Sequence, residues 1–195
     1  DTQVVAYDDS FGSIAARLWW LLRWLGHPAV AVLDGGLQAW QRAQYPLIAA
    51  VPHIAPVNFD AKPDATRWVD AEFVQRSLRA GSHVLIDARS EERFRGDIEP
   101  FDKVAGHVPG AINLPFEDNL NFASAFQTPA ELEAQYRALL GDKSPAQAIH
   151  MCGSGVTACH NILAMEHAGL HGAKLYAGSW SEWIADRRRP VARGG

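Results

Sequence analysis

Short apolar runs alternate with longer amphipathic ones along the whole chain. Val4-Val5-Ala6-Tyr7 is strand-like, and Ile14 to Leu25 is apolar at nearly every position apart from Arg17 and Arg23. Asp70 to Gly81 carries a capped helix pattern, and His83-Val84-Leu85-Ile86-Asp87 reads as a buried strand. Thr128-Pro129-Ala130-Glu131 supplies an N-cap, a proline at the first helical position and a capping-box acid, so a helix should run to about Leu140. A further apolar run, Ala148 to Met151, leads directly into a glycine-rich turn. Strands this short between helices predict an α/β fold with a mostly parallel sheet flanked by helices.

The pattern occurs twice. A shift of 143 positions takes Gly26 to Gly169, Val32 to Leu175, Gly35 to Gly178 and Trp40 to Trp183. Each copy reads as apolar helix, glycine, short strand, glycine-rich turn and a second helix bearing Trp, which predicts two repeated α/β units. With one gap Asp8 falls where Cys152 falls, so the loop of the first copy should be catalytically silent. Residues 46–67 hold Pro46, Pro52, Pro56 and Pro63 without an apolar period and read as a connector. The expected division is 1–45 for the later part of a first domain lacking its N-terminal elements, 46–67 for the linker, and 68–195 for a catalytic second domain.

Composition narrows the function classes. The net charge is -4 over 195 residues, and the basic residues are dispersed apart from Arg187, Arg188 and Arg189, read as a solvated helix end. No basic stripe suited to nucleic acid exists. The most apolar segment is too short to span a bilayer, and the chain reads as cytoplasmic. Cys152 and Cys159 are the only cysteines. On a helix they would lie roughly 10 Å apart along the axis, beyond disulfide reach.

A strand ending at Met151 and a helix starting near Thr157 would curl residues 152 to 156 over a helix entrance, where free N–H groups and the helix dipole favour an anion. The thiolate of Cys152 could be that anion. Gly153 and Gly155 allow successive amides to turn inward, and residues 150 to 160 contain no Lys or Arg, so stabilisation has to come from the backbone. The hydroxyls of Ser154 and Thr157 could add donors. Competing readings are a buried structural cysteine and a metal site of His150, Cys152, Cys159 and His160. The latter would need adjacent residues of one helix to point the same way, and no metal is expected. A cysteine phosphatase would need an arginine at the loop's end, where Thr157-Ala158 stands. Cys159, in mid-helix, reads as core.

The loop C-G-S-G-V-T-A, with A-G-H-V-P-G-A-I-N-L-P-F upstream and Y-A-G-S-W-S-E-W downstream, resembles the rhodanese superfamily, specifically tandem-domain sulfurtransferases of the thiosulfate and 3-mercaptopyruvate type. The resemblance extends to Y-D-D-S-F-G-S-I-A-A-R-L-W-W-L-L-R and L-D-G-G-L-Q-A-W, which look like the later part of the family's inactive first domain. It implies a six-residue loop, Cys152, Gly153, Ser154, Gly155, Val156 and Thr157, whose cysteine carries sulfur as a persulfide, without cofactor. C-G-S-G-V-T is the mercaptopyruvate type of loop, whereas members favouring thiosulfate carry basic residues after the cysteine. Arg93 in E-R-F-R-G matches the family's donor-binding arginine, and Ser154 would hydrogen-bond or protonate near the departing sulfur or enolate. A small-molecule donor and a thiol acceptor such as a thioredoxin-like protein are the implied partners, together with the front part of the first domain as a separate chain. Alternatives are a thiosulfate-preferring enzyme and a persulfide carrier without turnover.

One departure stands out: where mercaptopyruvate enzymes often have a second arginine about nine residues beyond the first, this chain reads I-E-P-F-D-K, with Asp102 and Lys103. Lys103 could substitute. Trp19, Trp20 and Trp24 read as buried, Asp87 as a loop salt-bridge partner able to orient Arg89 or Arg93, and His107 as a turn residue.

Overall fold

The computed structural model describes residues 2–51, 53 and 55–194; Pro52 of the connector lies outside them. The first segment contains β1 (Val4–Ala6), α1 (Ala15–Trp24), β2 (Val30–Val32) and α2 (Gly36–Arg42), with β1 and β2 paired in parallel. Residues 43–51, 53 and 55–64 form no regular element. The larger unit holds β3 (Trp68–Val69), α3 (Ala71–Arg79), β4 (Val84–Asp87), α4 (Glu91–Arg95), β5 (Ile112–Asn113), α5 (Pro129–Leu140), β6 (Ala148–Met151), α6 (Ala158–His167), β7 (Lys174–Tyr176) and α7 (Ser179–Trp183). Its sheet runs β3-β7-β6-β4-β5 with every pair parallel.

Local chemistry explains the helix bounds. The Asp70 carboxylate accepts the Phe73 N–H at 2.7 Å and starts α3. Thr128 and Glu131 form a reciprocal capping box ahead of Pro129, so α5 begins where the proline costs no hydrogen bond. Every residue of β6 is buried, which is why its sequence shows no polar alternation. Register still sorts its neighbours: Leu85, Ile149 and Met151 pack on one face with Val74, Tyr176, Trp180 and Trp183, and Ile86 on the other with Leu132, Tyr136 and Ile162.

Trp19 and Trp20 of α1 join that second cluster, because α1 packs against α6. The first four elements repeat the order of β6, α6, β7 and α7, and α1 and α6 start 143 positions apart. A buried polar network anchors the front of α6: the Tyr136 hydroxyl donates to Asn119 Oδ1 at 2.8 Å, Asn119 Nδ2 to Asn161 Oδ1 at 2.8 Å, and Asn161 Nδ2 to the Leu114 carbonyl at 3.0 Å. Among the described residues no helix is long and apolar enough to cross a membrane.

Candidate active site

Cys152 follows the last residue of β6, and α6 begins at Ala158, one residue beyond the expected start. The cysteine is 2% exposed. Its Sγ accepts the Gly155 N–H at 3.1 Å, so the loop closes over the sulfur. The N–H groups of Gly153, Ser154, Val156, Thr157 and Ala158 donate to no described residue. Unpartnered amides at a helix entrance are stabilised by an anion.

The first residues of α7 clamp this loop from outside. Ser179, at φ 53 in the left-handed region, accepts the Cys152 N–H on its Oγ at 3.1 Å and donates that hydroxyl to the Tyr176 carbonyl at 2.9 Å. The Cys152 and Gly153 carbonyls accept the N–H groups of Trp180 and Ser181, each at 3.0 Å. Gly155 has φ +76, and a Cβ there would lie 2.4 Å from the Ala177 carbonyl oxygen, so only glycine fits between loop and clamp. Gly153 faces Arg93 instead, with the place of its absent Cβ 3.3 Å from Arg93 Nη2.

The first segment offers an internal comparison. Asp8 stands beyond β1 as Cys152 stands beyond β6, and its carboxylate accepts the N–H groups of Ser10, Gly12, Ile14 and Ala15 at 2.7 to 2.9 Å. Burial pushes the Asp8 carboxyl up, the four backbone amides pull it down, and the amides win, holding it below its ordinary range. The same kind of loop therefore binds a negative charge with main-chain donors alone.

Arg93 lies at the rim, only partly exposed. It donates to Glu99 Oε1 at 2.7 Å, approaches Asp102 Oδ2 at 3.8 Å and stacks over Phe101 at 4.9 Å. Its acidic partners are thus Glu99 and Asp102 rather than Glu91 or Glu92. Burial pushes the Glu99 carboxyl up, but Arg93 and the amides of Phe101 and Asp102 together outweigh it and leave it below its ordinary range. Glu99 also reaches Arg89 at 3.3 Å, and sequence reading missed it as the residue joining the two arginines. Asp102 additionally accepts the Ser181 hydroxyl at 2.9 Å, and Lys103 is exposed with no ion pair among the described residues.

Several expectations change. Ser154 is exposed, and neither its hydroxyl nor that of Thr157 hydrogen-bonds to a described residue, so the one donor on the sulfur among the described residues is the Gly155 N–H. Val156 and Thr157 are half-buried and contribute main chain. Asp87 does form the expected salt bridge, with Arg89 at 2.7 Å, but the pair is buried, and Arg89 stacks on Trp180 at 4.8 Å, tying β4 to the clamp. His107 stacks on Phe94 and bonds its carbonyl through Nδ1 at 2.8 Å, a packing role. Arg189 packs over Trp183 while Arg188 pairs with Asp186.

Cys159 is fully buried, its thiol pushed up to about 12 by burial despite a nearby arginine, and it donates to the Gly155 carbonyl at 3.4 Å. His150 and His160 are buried and held neutral by desolvation, to about 3 and about 4 respectively. His150 Nε2 meets Met165 Sδ, and His160 stacks on Phe126, so neither joins Cys152 in a ligand set. No cluster able to hold a metal exists among the described residues.

The rhodanese-like domain model matches residues 1–43 and 70–186. The chain is 49% identical over its full length to a probable 3-mercaptopyruvate sulfurtransferase of Pseudomonas aeruginosa, spanning 69% of that protein. It is 38% identical to the human 3-mercaptopyruvate sulfurtransferase, covering 64% of it, and 36% identical to the mouse thiosulfate sulfurtransferase, covering 65%. The anaerobic ergothioneine biosynthesis enzyme of Chlorobium limicola superposes with a TM-score of 0.86 over the whole chain at 23% identity, a likeness of fold; this chain spans about half of it, 52%. On the family model and these identities, the chain belongs to the rhodanese family.

Proposed function

We propose that the chain is the sulfur-carrying part of a 3-mercaptopyruvate sulfurtransferase, built from two rhodanese-like units of which the first is silent. The observation that carries this is the Cys152 sulfur accepting the Gly155 N–H, in a loop whose five further amides donate to no described residue. The Asp8 loop supports it by holding a carboxylate in an equivalent ring.

The Cys152 thiolate attacks the sulfur of mercaptopyruvate and forms an S–S bond. The donor's C–S bond breaks, its electron pair goes to the methylene carbon, and the thiol proton ends on that carbon, giving pyruvate. Cys152 is left as a persulfide anion, whose outer sulfur the free amides stabilise. A thiolate acceptor then attacks the outer sulfur and regenerates Cys152, giving ping-pong kinetics. Arg93 binds the donor carboxylate with its planar fork, and Ser154, exposed over the loop, hydrogen-bonds the enolate oxygen or relays the thiol proton to the carbon. No metal or organic cofactor enters, and a thioredoxin-like thiol is the acceptor class. A reducing cytoplasm would keep both cysteines as free thiols.

Intact mass analysis after mercaptopyruvate exposure tests this. One added sulfur is expected in the parent and in Cys159→Ser, and none in Cys152→Ser. Sulfur retained in Cys152→Ser overturns the site. Loading from thiosulfate with none from mercaptopyruvate would replace the donor, and loading without pyruvate release or acceptor turnover would make the chain a carrier.

A further inference from the structure

The mechanism above leaves one cation at the loop unused. Arg17, on α1 of the silent segment, donates from Nη1 to the Gly155 carbonyl at 3.3 Å and to Cys159 Sγ at 3.8 Å, while its guanidinium lies over Trp20 at 5.2 Å. It forms no ion pair with a described carboxylate, in contrast to Arg93 at the rim. Gly155 is thus gripped on both sides of its residue: its carbonyl accepts from Arg17 and from the Cys159 thiol, and its N–H donates to Cys152 Sγ.

The arrangement has a counterpart across the two copies. His160 stands 143 positions after Arg17, and its ring lies 3.8 to 3.9 Å from where a side chain on Gly12 would begin. Gly12 is in turn the residue 143 positions before Gly155, and its N–H holds Asp8. Each helix therefore sends one side chain onto the glycine of the other copy's loop. Only toward the Cys152 loop is that side chain a permanent cation.

We propose that Arg17 is a positioning residue for sulfur transfer: the silent segment uses it to hold the Gly155 peptide, and so the N–H on Cys152 Sγ, while placing an unpaired positive charge against the loop that carries anionic sulfur. This rests on the persulfide reading of Cys152. A charge-assisted hydrogen bond of this kind corresponds to about a tenfold effect on the anionic state.

The test combines iodoacetamide alkylation of Cys152, followed by peptide mass mapping, with steady-state turnover of mercaptopyruvate by the same full chain. Arg17→Met is expected to lower the alkylation rate and kcat about tenfold each while the donor KM stays within about twofold, since Arg17 touches the loop and not the donor. Arg17→Lys, which keeps the charge, is expected to recover most of the loss. Arg17→Ala is expected to respond to added guanidinium but not to the same concentration of sodium chloride. Alkylation of Arg17→Met at the parent rate, a change confined to KM, or a lysine variant as slow as Arg17→Met with a matching drop in melting temperature would each overturn the proposal. If the parent loads no sulfur at all, the functional reading fails, while the alkylation arm still decides the role of Arg17.

Discussion

Replacing Gly155 with alanine separates loop geometry from loop charge, because the substitution adds one methyl group and no electrostatics. Its φ of +76 costs an L-residue about 1–2 kcal/mol. The new Cβ would meet the Ala177 carbonyl oxygen at 2.4 Å, a backbone atom no rotamer can move, so loop and clamp must separate. A total destabilisation of about 2–4 kcal/mol follows, or a drop in Tm on the order of 5–12 °C for a chain of this size. The separation also pulls the Gly155 N–H off Cys152 Sγ, now 3.1 Å away. Loss of one preorganised donor to a developing anion lowers the rate by about 10²–10³ in acyl-transfer enzymes, and an effect of about 10² on sulfur loading is expected here. Gly153→Ala is the control: its backbone is outside the left-handed range, and the added Cβ would meet the flexible end of Arg93 at 3.3 Å. Its loading rate should stay within about fivefold of the parent. The assay is persulfide formation by intact mass under rapid quench, with circular dichroism melts of both variants. Gly155→Ala loading at the parent rate, or Gly153→Ala failing equally, would show that the Gly155 N–H does not hold the sulfur.

Three other outcomes are expected. His150 and His160 are neutral in the fold down to about 3 and about 4, against an ordinary 6.5, so unfolding takes up protons below that value. Stability should be full above about pH 6.5 and fall by on the order of 3 kcal/mol per histidine on reaching pH 4, which urea titrations across this range will check. Asp8→Ala should cost about 2 kcal/mol by orphaning four amides, with Asp8→Asn losing less, and the parent's Asp8 contribution should fade as pH falls below the ordinary carboxyl range, since its folded value is depressed. Arg93→Met should raise the KM for mercaptopyruvate about tenfold or more while iodoacetamide alkylates Cys152 at nearly the parent rate, as expected of a group that binds the donor carboxylate rather than the sulfur.

Where structure depends on neighbours in the chain, the sequence alone determined it. Thr128, Pro129 and Glu131 satisfy one another's backbone within a single turn, so the start of α5 was legible to the residue, as was the Asp70 cap of α3. The strand into Cys152 and the helix entrance after it follow from an apolar run, two glycines and a return to helical spacing. Tertiary structure decided the rest. Glu99 binds both Arg89 and Arg93 only because α4 and the following loop fold back on each other, and the loop clamp of Ser179 and Ser181 joins residues 27 and 28 positions away from Cys152 and Gly153. Arg17 reaches Gly155 across 138 positions. Periodicity records which face of an element is buried but not what packs opposite it, and contacts made between distant segments, at the cost of chain entropy, leave no local pattern to read.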